Sequence, residues 1–129
     1  MTIDHLSLGT VDLDRARRFY DAVLEPLGIK RLYDDGGMLG YGEGEHPELW
    51  LSEPEPADRR GLGPSAGFHV CLKAGSRRAV DAFHRAALAA GARDNGAPGL
   101  RPHYSPTYYG AFAIDPDGHH LEAVCYAPE

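Results

Sequence analysis

Cysteine is scarce in this chain, which has only Cys71 and Cys125 among its 129 residues. Each stands in an apolar run, and neither has a second cysteine at the spacing of a zinc knuckle. This pattern argues against a disulfide framework and against a cysteine-based structural metal site. We therefore expect two buried free thiols.

Long apolar runs are also missing. No stretch approaches the roughly 20 residues that a helix needs to cross a bilayer. Residues 1–5 lack the basic start and apolar core of a signal peptide. We expect a cytoplasmic protein without a membrane partner.

Basic residues are fewer than acidic ones, 13 against 19, which gives a net charge of −6. A chain of this sign is poorly suited to nucleic acid or to an anionic membrane surface. The hydrophobic share of 43% and the charged share of 25% are ordinary for a globular domain. These values favour a single domain whose partner is a small molecule.

The two halves of the sequence repeat one pattern. His5 and His69 each open a run of alternating apolar residues, at an offset of 64. The same offset relates Asp12 to Ser76, and both are residue types that begin helices. Near the end of each half, segments 43–48 and 117–122 align at an offset of 74. This second alignment pairs the last residue of each segment, Glu48 with Glu122.

Each half predicts a strand, a helix and further short strands. The first half begins with a strand over 3–9, and the second with a strand over 67–73. Helices follow after the Asp12 and Ser76 caps. Later strands are predicted over 29–34, 38–42, 48–52, 108–115 and 120–126. The larger offset at the end of the second half indicates an insertion, expected to be a loop, around 95–106.

The predicted fold class is therefore α+β. Two tandem βαβββ modules, about 1–53 and 66–129, are joined by a Pro/Gly-rich linker at about 54–65. We expect them to form a curved mixed sheet around a metal-binding cup.

The repeated histidines and glutamates predict what lies in that cup. Alternate residues of a strand face one side, so equivalent side chains converge if the modules pair about a pseudo-twofold axis. His5 and His69 would then meet one or two carboxylates, Glu122 alone or Glu122 with Glu48, around one divalent ion (Ni, Zn, Co, Mn or Fe), with positions left open for substrate. Glu122 or Glu48 would act as the catalytic base.

Other polar side chains are predicted to lie outside the set of metal ligands. Segment 100–104 and the pair Tyr108-Tyr109 lie in or beside the insertion and could line a pocket or pack the insertion. Of these residues, Arg101, His103 and Tyr109 are predicted to contact substrate. His46, His119 and His120 stand in or beside turns, and we expect them at the surface. His84 falls on the second predicted helix, where packing or capping explains it.

The chain resembles the vicinal oxygen chelate superfamily, which includes glyoxalase I, fosfomycin-resistance transferases, extradiol ring-cleaving dioxygenases and bleomycin-resistance binding proteins. The resemblance is carried by Asp4-His5-Leu6-Ser7-Leu8, by Val11-Asp12-Leu13-Asp14 leading to Phe19-Tyr20, by Phe68-His69-Val70, and by Asp115-Pro116-Asp117-Gly118-His119-His120-Leu121-Glu122.

The resemblance implies metal ligands at His5, His69 and Glu122, with Glu48 as a fourth ligand in glyoxalase I-like proteins. It also implies a homodimer and a substrate that presents two neighbouring oxygens. The two modules could close on each other within one chain, or pair between chains so that His5 and Glu48 meet His69 and Glu122 of a second copy. Glyoxalase I proteins usually carry an arginine where this chain has Gly9, which argues against a strict glutathione-dependent glyoxalase.

The sequence leaves three functions open. The first is a glyoxalase-like metal-dependent isomerase or lyase. The second is an Fe(II) extradiol-type dioxygenase, because two histidines and one carboxylate also serve non-haem iron. The third is a metal-free drug- or metabolite-binding protein of the bleomycin-resistance type.

Overall fold

A computed structural model describes residues 2–59, 62 and 66–128. The helices are α1 (Leu13–Leu24) and α2 (Arg77–Ala89), with short 3-10 helices at Glu25–Leu27 and Pro56–Asp58. The strands are β1 (Leu6–Gly9), β2 (Lys30–Asp34), β3 (Met38–Gly42), β4 (Leu49–Ser52), β5 (Val70–Lys73), β6 (Arg93–Leu100), β7 (Tyr109–Ile114) and β8 (His120–Cys125).

Both helices begin at the predicted caps. The Asp12 side chain accepts a hydrogen bond from the backbone N of Arg15 at 3.1 Å, and the Ser76 hydroxyl accepts one from the backbone N of Ala79 at 3.1 Å. These bonds satisfy amide groups that lack a partner within the first helical turn. The first helix ends through its 3-10 turn at Gly28, whose φ of 78° suits glycine.

The strands form two four-stranded mixed sheets. The first sheet has the order β1-β4-β3-β2 and the second has the equivalent order β5-β8-β7-β6. In each sheet the first and last strands of the module pair in parallel, and the other neighbours are antiparallel. This arrangement confirms the α+β class and the two βαβββ modules.

The hydrophobic core lies between the sheets and the two helices. Phe19 of α1 and Phe83 of α2 occupy equivalent positions and are 1% and 0% exposed. His84 is buried beside Phe83 and its Nε2 lies 2.9 Å from Asp94, so its packing role is confirmed. We call the side of each sheet that packs on this core the helix face, and the other side the open face.

The segment after α2 differs from the prediction. Residues 93–100 form an edge strand, β6, that pairs with β7 through an irregular register, where the sequence predicted only a loop around 95–106. The sequence pattern does not predict this strand, because β6 contains glycines and a proline, and such residues are depleted in strands. The pairing with β7 supplies the backbone hydrogen bonds that the local sequence does not favour.

The predicted linker is only partly covered, since residues 60, 61 and 63–65 lie outside the described residues. In the described part, the Arg59 guanidinium donates to the carbonyl of Pro54 at 3.1 Å and to Glu53 at 3.3 Å. Among the described residues, the helices are too short and too polar to cross a bilayer.

The turn between β7 and β8 fastens the second module to the first. Asp117 accepts hydrogen bonds from the backbone N of Val11 at 3.1 Å and from Arg15 at 2.8 Å. His119 Nε2 donates to the carbonyl of Gly9 at 2.7 Å. His119 is only 6% exposed, so its prediction as a surface residue was wrong: the contact between modules buries a side chain that a turn alone would leave in water.

A second link between the modules is fully buried. The Tyr20 hydroxyl on α1 donates to the Asp115 carboxylate at the end of β7. Asp115 also accepts from the backbone N of Asp117 and of His119. Burial raises the pKa of the Asp115 carboxyl, and the bond from Tyr20 opposes that rise.

Candidate metal centre

A histidine and a glutamate from the predicted set meet on the open face of the second sheet. His69 Nε2 lies 2.9 Å from Glu122 Oε1. The Tyr108 hydroxyl donates to the other oxygen, Oε2, of the same carboxylate. Glu122 is 2% exposed, so these two partners compensate the cost of burying its carboxylate.

The register of the sheet explains this meeting. Glu122 stands opposite Cys71 on β5 and opposite Phe112 on β7, and the Phe112 ring lies 6.3 Å from the His69 ring. A Cβ atom on Gly110 would lie 3.1 Å from the Tyr108 ring and 3.2 Å from Glu122 Oε2. The missing side chain at position 110 therefore gives the phenol and the carboxylate room to approach.

The Glu122 carboxylate also raises the pKa values of two neighbouring groups. Desolvation and then Glu122 raise the pKa of the Cys71 thiol to about 12, and desolvation and the same carboxylate raise the pKa of the Tyr108 phenol. Both groups therefore stay protonated at neutral pH and can donate. Cys71 is exposed and only Cys125 is buried, so the prediction of two buried thiols was wrong for Cys71, because it lies on the open face of an edge strand.

The other histidine and glutamate stand together on the first module. Leu6 donates its backbone N–H to the carbonyl of Glu48 at 2.9 Å, which holds Glu48 beside the start of β1. His5 precedes that strand, and its Nδ1 lies 2.6 Å from Asp4. Asp4 also accepts from His46 Nε2 at 3.0 Å. This bond to Nδ1 leaves Nε2 of His5 as the nitrogen available for a ligand.

A cavity of about 280 Å³ lies between the modules, beside the start of β1. His5, Glu48 and Cys71 are among its lining residues. His69 and Glu122 do not line it. The two histidine–glutamate pairs are therefore separate within one chain, and we call each of them a half-site of the predicted metal centre.

The strand directions explain this separation. The C-terminal end of β1 lies beside the beginning of β8, where His119 contacts Gly9. Because β5 and β8 are parallel and in register, His69, which precedes β5, also lies near the C-terminal end of β1. His5 stands four residues before Gly9, which is about 13 Å along a strand that rises roughly 3.3 Å per residue. Among the described residues, no three His, Cys, Asp or Glu side chains converge closely enough to hold a metal ion.

The geometry of the His69–Glu122 pair nevertheless fits a divalent cation. Two ligand atoms about 2.1 Å from one ion and at right angles to each other lie about 3.0 Å apart. The observed separation of 2.9 Å matches that value. Imidazole nitrogen and carboxylate oxygen are also the donors that such ions accept.

The predicted substrate residues fall on both faces of the second sheet. The Arg101 guanidinium lies 5.4 Å from the centre of the Phe112 ring, on the open face, and donates to the carbonyls of Gly99 and Ala97. The His103 ring lies 4.3 Å from the Tyr104 ring, which in turn lies 4.9 Å from the ring of Tyr108. Tyr109 lies on the helix face, where its hydroxyl donates to Asp81 at 2.7 Å.

The sequence places Tyr108 among the aromatic residues beside the cup, but the substrate contact was predicted for Tyr109 instead, and Asp4 was given no role in the site. A signal for Tyr108 exists, because alternation places it on one face with Gly110 and Phe112 and places Tyr109 on the other. Using that signal requires the register of β7 against β8, which no local pattern gives. Asp4 precedes His5 directly, and its contact with the imidazole depends on side-chain rotamers.

Comparisons with known proteins agree with this architecture. Residues 2–123 match the Glyoxalase/Bleomycin resistance protein/Dioxygenase superfamily. The fold resembles a glyoxalase/bleomycin resistance protein from Albidiferax ferrireducens T118, with 28% identity, a TM-score of 0.83, and coverage of 95% of this chain and 97% of that one.

More distant structures share the fold. A glyoxalase-related enzyme from Fulvimarina pelagi has 18% identity and a TM-score of 0.74, over 97% of this chain and 88% of that one. A genomically encoded fosfomycin resistance protein from Listeria monocytogenes has 14% identity and a TM-score of 0.70, over 98% and 94%. None of the curated proteins matches the chain. The superfamily match spans nearly the whole sequence, and the chain therefore belongs to the Glyoxalase/Bleomycin resistance protein/Dioxygenase superfamily.

Proposed function

We propose that the chain is a divalent-metal-dependent enzyme of the glyoxalase type, an isomerase or lyase acting on a small substrate with two neighbouring oxygens. The observation that carries the proposal is the buried pair of His69 Nε2 and Glu122 Oε1 at 2.9 Å. This contact is a hydrogen bond, and its length is close to the separation of about 3.0 Å between adjacent ligands of an octahedral ion, so an ion could replace the shared proton with little movement. Its donors are the types that divalent cations accept.

The second half-site supplies the remaining donors in this proposal. His5 and Glu48 would come from a second copy of the chain, because in their own chain they lie about one strand length from His69. Among the described strands, β1 and β5 are each paired on one side only. Such edges favour association with another copy, and a twofold dimer would build two equivalent sites.

The two carboxylates differ in a way that assigns their roles. Glu122 is buried and held by two donors, whereas Glu48 is exposed at the cavity. We assign to Glu48 the acceptance of the substrate proton, because a base must reach the substrate by moving a short distance. The chemistry that a bound divalent cation supplies is stabilisation of negative charge on the substrate oxygens.

Metal content tests the proposal directly. Protein purified without added metal should contain about one divalent ion per chain by elemental analysis. His69→Ala and Glu122→Gln should each lose it. His120→Ala is the matched control, since His120 is exposed beside the same sheet, and should retain it. A wild-type protein that binds no divalent ion would overturn the proposed function.

Mixing two inactive variants tests where the site is assembled. His5→Ala and His69→Ala should each fail to hold metal as pure proteins. After unfolding and refolding together, about half of the dimers should be mixed and have one intact site out of two, restoring about a quarter of the wild-type occupancy. No restoration would contradict a site shared between chains.

One observation favours a second candidate, a metal-free small-molecule binding protein. The bonds from Tyr108 and His69 already satisfy both oxygens of Glu122, as a purely structural network requires. This candidate predicts that the wild-type protein contains no metal, binds its small-molecule ligand stoichiometrically and does not convert it. The elemental analysis separates the two functions.

A further inference from the structure

We infer that Tyr108 is a positioning residue that holds Oε2 of Glu122, so that only Oε1 is presented beside His69. This inference rests on the proposed function, because it specifies how the carboxylate would bind a cation: through one oxygen. The contact that carries it is the hydrogen bond from the Tyr108 hydroxyl to Oε2, opposite the 2.9 Å contact between Oε1 and His69 Nε2.

Tyr108 is itself held in place by other rings. The Tyr104 ring lies 4.9 Å away and the Tyr126 ring lies 5.3 Å away, both edge to face. His103 packs 4.3 Å from Tyr104 and extends this cluster outward. Edge-to-face contacts of this kind fix ring orientation. The phenol therefore meets the carboxylate without a large loss of side-chain entropy.

The first module lacks this device. Gly110 stands opposite Val124 and Gly40 stands opposite Trp50, so the two glycines are equivalent in their sheets. Tyr108 precedes Gly110 by two residues, and the equivalent residue before Gly40 is Met38. Methionine has no O–H group to donate.

This difference makes the two half-sites unequal despite the internal repeat. Glu122 is 2% exposed and constrained at both oxygens, whereas Glu48 is exposed. A fixed carboxylate suits permanent ligation, and an exposed one suits proton transfer. Tyr108 is thus the residue that separates the two roles.

Tyr108→Phe tests the inference, with Tyr109→Phe as its matched control. The control removes a hydroxyl from the next residue, the first of β7, which points to the opposite face of the second sheet. Loss of a bond behind a metal ligand typically weakens metal affinity by about 10- to 100-fold. We expect this loss in Mn²⁺ and Co²⁺ titrations of Tyr108→Phe. We also expect a changed Co²⁺ absorption spectrum, because Glu122 can then bind through both oxygens. Tyr109→Phe should match the wild type in both measurements.

A measurement on chelator-treated protein separates this inference from the proposed function. The carboxylate stretch of Glu122, identified by infrared difference against Glu122→Gln, should shift in Tyr108→Phe and not in Tyr109→Phe. If the wild type binds no metal, the proposed function fails. The shift of the carboxylate stretch in Tyr108→Phe would still support the hydrogen bond from Tyr108 to Oε2 of Glu122. If the wild type binds metal but Tyr108→Phe has wild-type affinity and spectrum, the inference is overturned and the function stands.

A second variant guards against misfolding of the first. Gly110→Ala would place a Cβ atom 3.1 Å from the Tyr108 ring and 3.2 Å from Glu122 Oε2, which separates the pair and keeps both residues. It should weaken metal binding in the same direction as Tyr108→Phe. Wild-type affinity in a folded Gly110→Ala protein would also count against the inference.

Discussion

Tyr108 and Tyr109 are adjacent in sequence, yet their hydroxyl groups bind carboxylates on opposite faces of the second sheet. Tyr108 donates to Glu122 on the open face, and Tyr109 donates to Asp81 of α2 on the helix face. Strand alternation produces this division, because Tyr108 directly precedes β7 and continues its alternation of side chains between the two faces. One tyrosine thus belongs to the candidate site, and its neighbour joins the helix to the sheet.

The Tyr109 contact should contribute to stability. Tyr109→Phe removes the bond to Asp81, and a hydrogen bond of this kind contributes about 0.5–1.5 kcal/mol. We expect urea unfolding to show a loss in that range. Tyr126→Phe is the control, because Tyr126 is exposed and keeps its ring contact with Tyr108. Equal stability of Tyr109→Phe and the wild type would show that the bond adds nothing to folding.

His119 should matter much more for folding than its neighbour His120. His119→Ala removes the contact with the Gly9 carbonyl between the modules and leaves a gap in a buried position. We expect a loss of about 1–3 kcal/mol in the free energy of unfolding, because a buried acceptor loses its partner.

The control for this prediction is His120→Ala. His120 is exposed, and substitutions at such positions usually change stability by less than about 0.5 kcal/mol. Both variants remove one imidazole at the start of β8, and the two histidines differ mainly in burial. Similar losses in the two proteins would contradict the role of His119 as a link between modules.

Much of the fold is predictable because the information is local and repeated. Asp12 and Ser76 cap helices as their types suggest, and Met38–Gly42 is a strand with the predicted bounds. His69 and Glu122, two of the four predicted ligands, lie 2.9 Å apart. Strand periodicity and helix caps act over a few residues, so a single sequence contains them.

The failures share a different physical cause. His119 is buried by another module, Cys71 is exposed because β5 is an edge, and β6 is held by β7 despite its glycines. Each outcome depends on contacts between segments far apart in sequence. The choice between modules that pair within one chain and modules that pair between chains was left open by the sequence for the same reason, since it depends on the relative direction of β1 and β5.

Gly40 should prove essential for the packing of Trp50, the chain's single tryptophan. A Cβ atom at position 40 would lie 2.8 Å from the indole ring and 3.0 Å from Pro47. Gly40→Ala must therefore displace the ring, and overpacking of this kind typically costs about 1–3 kcal/mol. We expect a shifted Trp50 fluorescence maximum and a lower midpoint of thermal unfolding.

Gly44→Ala provides the comparison for that substitution. A Cβ atom there meets nothing within 4 Å, so fluorescence and unfolding should stay at wild-type values. Comparison of Gly40→Ala with Gly44→Ala distinguishes a steric effect at position 40 from the general loss of backbone flexibility when glycine is replaced. An unshifted emission spectrum in Gly40→Ala would mean that the indole does not rest against this glycine.

The bond between Tyr20 and Asp115 should give stability a distinct pH dependence. Burial raises the pKa of Asp115 above its ordinary 3.8, so the folded protein holds this proton to higher pH than the unfolded chain. The contribution of Asp115 is therefore fully favourable below pH 3.8 and is lost as the pH rises through its folded pKa. The hydrogen bond from Tyr20 limits that loss, because it stabilises the ionised carboxylate.

Tyr20→Phe should consequently destabilise the protein more at pH 7 than at pH 4. We expect about 1–3 kcal/mol at pH 7, since the buried carboxylate loses a donor, and a smaller loss at pH 4, where more of Asp115 is protonated. Urea unfolding at both pH values measures the difference. Tyr33→Phe, whose hydroxyl bonds to exposed Asp35, should show no such trend. A destabilisation of Tyr20→Phe that is the same at both pH values would show that Asp115 does not titrate in this range.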